Sequence, residues 1–127
     1  MSVLNRCAVT VVARQPMLDW MRPFASEEER ELARCDASVY LLPSYNDEKQ
    51  AWQCLGAVSD RIFAAELELW CRDAELWPNE RSFEVFQEWF AVRFHHVVED
   101  LGSEPLRALA SDPALEADLR QAQGDGT

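Results

Sequence analysis

Glu66 is an acidic residue in the middle of an apolar helical stripe. At 100° per residue, one narrow arc of the predicted helix carries Leu55, Ser59, Ile62, Glu66 and Leu69. An ionised carboxylate there needs a partner, or its pKa must rise. A raised carboxyl pKa suits general acid–base catalysis. A hydrogen bond from a Trp N–H, a Tyr hydroxyl or a backbone amide would instead make Glu66 a structural residue, and this is the interpretation we favour.

The two histidines, His95 and His96, are neighbours on a predicted strand. Neighbouring strand residues point to opposite faces, so the two rings cannot readily bind one ion together. His96 shares its face with Phe94, which we expect to pack on helices. The pattern therefore predicts that His96 is the more buried histidine, and a contact with Glu66 is possible if the long helix covers that face.

The candidate catalytic residues are Glu66, His96 and Asp73. A zinc site could use Cys71 and His96 with Asp73 or Glu66, since Zn²⁺ takes sulfur, imidazole and carboxylate ligands. Scattered ligands of this kind are common by chance. The sequence therefore predicts no metal site and no cofactor.

A second candidate site is the loop around Trp77, because Trp77-Pro78 lies between two predicted helices. Loops carry function more often than cores do, and an exposed aromatic side chain with an acidic rim is typical of a partner surface. The candidate partner-binding residues are Trp77, Glu75 and Glu80.

The net charge of −11 restricts the possible partners. Residues 1–64 carry seven basic and nine acidic side chains, whereas residues 65–127 carry five basic and fourteen acidic ones. Such a surface repels phosphate backbones and anionic membranes, so we expect neither nucleic acid nor membrane as a partner. A basic protein or a second copy of the chain fits better.

The four cysteines form no CxxC pair. The first residues do not form a signal peptide, and no apolar run is long enough to span a membrane. We therefore expect a cytoplasmic protein whose thiols are reduced and mostly buried. The sequence also has no Gly-rich phosphate loop, GxSxG or HExxH.

The elements that would position these residues alternate between strands and helices. Strands are predicted at 6–13, 39–42 and 92–98, and helices at 16–21, 26–34, 47–70 and from Ser82 to Phe90. We expect an α+β or small α/β fold of order β-α-α-β-α-α-β, with a three-stranded sheet and four to five helices. Long helical connections make parallel neighbouring strands possible.

Two units are predicted: a single compact α+β domain over residues 1–101 and an acidic, partly helical or disordered tail over 102–127. Asp112-Pro113 starts a short amphipathic helix in the tail, and Gly124 would end it. Ser26, Asp47 and Ser82 are the predicted caps of the preceding helices, with Glu29 completing a capping box.

Several aromatic-rich segments resemble a group of short bacterial proteins of unknown function. They are Gln15-Pro16-Met17-Leu18-Asp19-Trp20, Val39-Tyr40-Leu41-Leu42-Pro43, Glu66-Leu67-Glu68-Leu69-Trp70-Cys71, Leu76-Trp77-Pro78 and the run from Phe94 to Leu101. The resemblance covers residues 5–101, implies a bacterial cytosolic protein and carries no activity.

The resulting expectation is a small acidic interaction or accessory protein without catalytic activity. The alternative is a small metal-dependent protein or enzyme centred on Glu66, His96 and Asp73. A further alternative is an acidic mimic of DNA, since the same charge would attract a DNA-binding protein.

Overall fold

A computed structural model describes residues 2–108 of the chain. The strands are β1 (Ser2–Val3), β2 (Arg6–Ala13), β3 (Ser38–Pro43), β4 (Phe90–His95) and β5 (Glu99–Asp100). The α-helices are α1 (Gln15–Trp20), α2 (Glu27–Ala33), α3 (Glu48–Glu68) and α4 (Phe83–Trp89), and a short 3₁₀ turn covers Ala74–Leu76. The mixed, broadly α+β character predicted from the sequence is confirmed.

The sheet has β2 in the centre, with β3 and β4 both antiparallel to it. The register pairs Val9 with Tyr40 on one side and with Phe94 on the other. Strands β3 and β4 therefore run in the same direction but are separated by β2. The possibility of parallel neighbours is wrong, because the connection through α3 carries the chain past the central strand instead of next to it.

The inner face of this sheet packs against the helices. Val9, Val11 and Leu42 from the strands belong to one hydrophobic core with helix residues. Helix α3 supplies a stripe at helical spacing, and its buried residues are Ala51, Leu55, Ser59, Ile62, Phe63, Glu66 and Leu67. The stripe lets one helix cover the sheet.

Helix α4 joins this core through aromatic rings. Phe63 of α3 meets Phe86, Trp89 and Phe90 with ring centroids 5.3–6.0 Å apart. Gly56 permits the approach of Phe83, because a Cβ there would lie 3.1 Å from Cε2 of that ring. Aromatic contacts of this kind contribute beyond the area they bury.

The helix starts follow the predicted caps. The Ser26 side chain accepts a hydrogen bond from the Glu29 N–H, and the Glu29 carboxylate accepts one from the Ser26 N–H, which confirms the capping box. Asp47 and Ser82 accept bonds from the third helical residues of α3 and α4. Helix α2 has no buried residue, as expected from its polar sequence.

The third strand is displaced from its predicted position. Helix α4 ends at Trp89, and Phe90 already has extended backbone angles. Phe90 therefore belongs to the sheet, where it is buried, and the strand ends at His95 instead of Val98. The aromatic spacing of α4 continues through Phe90, so periodicity alone could not separate the helix from the strand.

Two short strands lie beyond the main sheet. Ser2 pairs with Asp100 and Val3 with Glu99, and the Leu4 N–H donates to the Val98 carbonyl. The predicted tail helix from Asp112 lies outside the described residues. No helix within residues 2–108 has the length and apolar character needed to cross a membrane.

We expect the segment after Leu101 to be dispensable for folding. Residues 101–108 are all exposed, and every element of the main sheet precedes them. A chain that ends at Leu101 should unfold cooperatively, with a midpoint within a few degrees of the full chain, in thermal melts followed by far-UV circular dichroism. The absence of a cooperative transition would contradict this expectation.

Candidate functional site

Glu66 sits at the C-terminal end of α3 and contacts the first half of β3. Its carboxylate accepts hydrogen bonds from the Ser38 hydroxyl at 2.9 Å and from the Tyr40 hydroxyl at 2.8 Å. The side chain is 7% exposed and lines a cavity of about 80 Å³. A Tyr hydroxyl is one of the structural partners expected from the sequence, and the two bonds tie the helix to the strand.

Burial dominates the electrostatics of this cluster. It raises the pKa of Glu66 above the usual value, the hydroxyls of Tyr40 and Ser38 lower it in part, and the charge of Asp36 raises it further. Burial and the neighbouring Glu66 carboxylate also raise the pKa of Tyr40. Both groups therefore favour their neutral forms more strongly than they would in water.

His96 lies at the other end of the sheet. Its Nδ1 is 3.8 Å from the Cys7 Sγ, and its ring centroid is 5.6 Å from that of Tyr45. Cys7 stands four residues before Val11, the partner of Ser38, so roughly 13 Å of strand separates the two sites. The structure does not bring His96 and Glu66 together.

The prediction that His96 is the more buried histidine is wrong. Strand β4 ends at His95, so the alternation of side chains does not extend to His96, which is exposed. His95 is half-buried on the outer face, where its Nε2 lies 3.3 Å from the Thr10 hydroxyl.

Asp73 has a local structural task. Its carboxylate accepts a hydrogen bond from the Glu75 N–H at 3.1 Å and caps the 3₁₀ turn, while Cys71 Sγ donates to its carbonyl. Within residues 2–108, no three His, Cys, Asp or Glu side chains come close enough to hold a metal ion. The zinc arrangement of Cys71, His96 and Asp73 or Glu66 is therefore not formed.

Of the four thiols, only Cys7 is buried. Cys54 and Cys71 are half-buried and Cys35 is exposed, which differs from the expectation of mostly buried thiols. Cys35 follows the polar helix α2, which offers it no core to enter.

Trp77 is half-buried instead of exposed. Its indole N–H donates to the Cys71 carbonyl at 2.8 Å, and the Arg81 guanidinium lies 5.7 Å from its ring centroid. Glu75 and Glu80 are exposed beside it. The ring and its N–H are thus already used to fold the loop, which leaves less of Trp77 for a partner.

An open cavity lies at the N-terminal end of α3. We call it the aromatic groove; it has a volume of about 500 Å³ and is lined by Tyr45, Asn46, Asp47, Glu48, Ala51, Trp52, Val92, Phe94 and His96. The Phe94 ring stands nearly perpendicular to those of Tyr45 and Trp52, at 77° and 82°, with centroids 6.0 and 5.1 Å apart.

The carboxylates of Asp47 and Glu48 lie at the rim of this groove. Glu48 is exposed and forms no ion pair within residues 2–108. Asp47 uses one oxygen to cap the helix. Their negative charges offset the positive end of the α3 dipole, so the groove favours positive charge despite the helix terminus.

Sequence reasoning missed this groove. Trp52 belongs to the periodic pattern of α3, and Tyr45 follows a proline in a turn, so neither stands out by itself. The groove arises because α3 starts directly below the end of β3 and faces the end of β4. That neighbourhood depends on strand order, which the sequence left open.

Comparisons with known proteins found no relative of this chain. No protein family, curated sequence or solved structure matches this chain. The function of this chain is therefore inferred from its own geometry and charge, and not from the resemblance noted for residues 5–101.

We expect Glu66→Gln to lower the free energy of unfolding by about 1–3 kcal/mol, the usual cost of disturbing a buried polar contact. The amide keeps one acceptor oxygen for Tyr40 or Ser38 but replaces the other with an N–H donor, which faces hydroxyl groups that donate to the carboxylate in the wild type. Urea denaturation at neutral pH measures the difference. Glu68→Gln, an exposed change on the same helix, is the control; a Glu66→Gln variant as stable as that control would contradict the structural role.

The same pair of variants should differ in pH dependence. Because the folded state raises the pKa of Glu66, its stabilising contribution is complete below the usual pKa of 4.5 and is lost as the pH rises through the raised value. The stability of the wild type relative to Glu66→Gln should therefore fall as the pH rises above about 4. Denaturation at a series of pH values tests this, and a difference that increases with pH would contradict it.

Proposed function

We propose that this protein is an interaction protein that binds a basic segment of another protein in the aromatic groove. The observation that carries the proposal is the combination of three aromatic rings with an unpaired carboxylate at one cavity of about 500 Å³. The proposed binding site differs from the Trp77 loop expected from the sequence, but the expected class of partner, a basic protein, is the same.

The rings suit a cationic side chain. Aromatic faces attract ammonium and guanidinium groups, most strongly when the ring is that of Trp. Trp52 is half-buried and lines the groove, and its indole N–H has no hydrogen-bond partner within the described chain. Glu48 supplies an opposite charge at the rim.

The size of the groove suits one or two side chains. Its walls come from the turn before α3, the first turns of α3 and the end of β4, and these walls leave the groove open on the surface. A chain segment bearing arginine or lysine could place its cationic end against Trp52 while the rest remains outside. The net charge of −11 would attract such a segment over a longer distance.

The other hypotheses have less geometric support. An enzyme centred on Glu66, His96 and Asp73 needs these groups in one place, whereas each contacts a different part of the fold. Mimicry of DNA remains a prediction from the net charge.

Isothermal titration calorimetry with a capped arginine hexapeptide tests the proposal. We expect binding at low salt that weakens as ionic strength rises, because exposed charges are screened over about 8–10 Å. Trp52→Ala should weaken binding by about 2- to 30-fold, the range of cation–π energies, whereas Trp52→Phe keeps a ring and should lose less. Glu48→Gln should cost up to about fivefold.

Glu88→Gln is the matched control, since it removes one exposed carboxylate from α4, outside the groove lining. It should bind like Glu48→Gln if only net charge matters, and like the wild type if the groove is the site. A glutamate hexapeptide should not bind. Failure of the arginine peptide to bind at low salt would refute the proposed function.

A further inference from the structure

Strand β3 forms one edge of the sheet and has none of the usual protection of an edge. Its sequence, Ser-Val-Tyr-Leu-Leu-Pro, has no charged residue, and proline stands only at its last position. All six residues pair with β2 in continuous register, without a bulge. Edge strands are normally shielded by lysines, inner prolines or bulges, because an open edge can pair with another strand.

The opposite edge differs in this respect. Strand β4 carries Arg93 in its middle, exposed, and His95 at its end. In an antiparallel pair, alternate residues direct their N–H and C=O groups away from the partner. On β3, no strand within residues 2–108 pairs with that outward side, and no β3 residue has an interaction beyond those already described.

The side chains of β3 add apolar surface on both sides of this edge. Val39 and Leu41, on the outer face, are 63% and 46% exposed. On the inner face, a cavity of about 240 Å³ lies between β3 and α3, lined by Tyr40, Leu41, Leu42, Val58, Arg61, Ile62 and Ala65. A strand added at the edge would cover Leu41 and extend over this cavity.

We propose that β3 of one copy pairs antiparallel with β3 of a second copy, so that two sheets join into one of six strands. An antiparallel pair of identical strands is related by a two-fold axis, so the edge is complementary to itself and the assembly closes as a dimer. The main-chain bonds give the contact its strength, as in other cases of strand addition.

The distribution of charge favours a second copy at this edge. Two molecules of net charge −11 repel each other, and none of the six residues of β3 adds a carboxylate to that repulsion, while the Glu66 carboxylate behind the strand is buried. Arg61 is the one charged side chain lining the adjacent cavity, and it forms no ion pair within the described chain. Its positive charge is opposite to the net charge of the incoming copy.

The charge distribution at β3 predicts how the dimer depends on salt. Because β3 carries no charge while the two molecules repel each other through their net charge of −11, added salt should strengthen the dimer. Binding of a basic segment in the aromatic groove should weaken under the same change. The dimer proposal does not depend on the proposed function, and the two can fail separately.

Sedimentation velocity of the full chain, from about 1 μM to about 1 mM, measures the association. We expect a monomer–dimer equilibrium. Its dissociation constant should decrease as the NaCl concentration is raised from about 20 to about 500 mM. The double variant Val39→Lys, Leu41→Lys puts two charges on the edge strand and should raise the dissociation constant at least about tenfold. Both side chains point outward, so the fold should remain, as circular dichroism would verify.

Two further variants separate this contact from others. Val97→Lys places one lysine at an exposed valine outside β3 and should dimerise like the wild type. Thr10→Lys alters the outer face of the central strand, so it should disrupt face-to-face stacking of two sheets but not edge pairing. A wild type that stays monomeric, a double variant that still dimerises, or a Thr10→Lys variant that is monomeric would each overturn the proposal.

Discussion

Helix α3 has to cover the inner face of three strands with one stripe of side chains. Its buried positions recur every three or four residues along a helix of 21 residues, and Phe63 in its C-terminal half holds α4 and the start of β4 through ring contacts. No other helix within residues 2–108 has this length, so the position of α3 decides which strand residues enter the core. The cavities at the two ends of α3 and along its side follow from how far this one helix extends over the sheet.

The two ends of α3 differ chemically because they lie at different places relative to the sheet. At the C-terminal end, the stripe includes a carboxylate that reaches β3, where two hydroxyls satisfy it and burial keeps its pKa raised. At the N-terminal end, the helix begins beyond the edge of the sheet, and Tyr45, Trp52 and Phe94 meet where the strands run out. The first arrangement is closed and satisfied. The second is open, with a donor and a carboxylate directed to solvent, and this difference favours the groove as the functional site.

Local sequence signals predicted the elements well, and the relation between elements poorly. Ser26, Asp47 and Ser82 marked helix starts because capping depends on residues three positions apart. The end of α4 was misplaced because Phe90 continues the helical spacing of aromatic residues while contributing to a strand. Glu66 was singled out by its place in an apolar stripe, but its partners Ser38 and Tyr40 lie 26 to 28 residues away. The aromatic groove could not be predicted, because it requires β4 to lie beside β2 near the start of α3.

The rings of the aromatic groove are held from behind by the core. Tyr45 is buried against Cys7 and Ala51, and Phe94 packs on the same cluster, so only part of each ring faces the groove. Trp52 packs on Phe83 of α4 as well as on Phe94. Side chains fixed in this way lose little conformational freedom when a ligand binds, and that saving favours affinity even for a small contact area. The same packing that lets a short chain complete its core thus also gives the groove a preformed shape, since its aromatic wall is formed by rings that pack on the core, while the exposed Asn46, Asp47, Glu48 and His96 complete the lining.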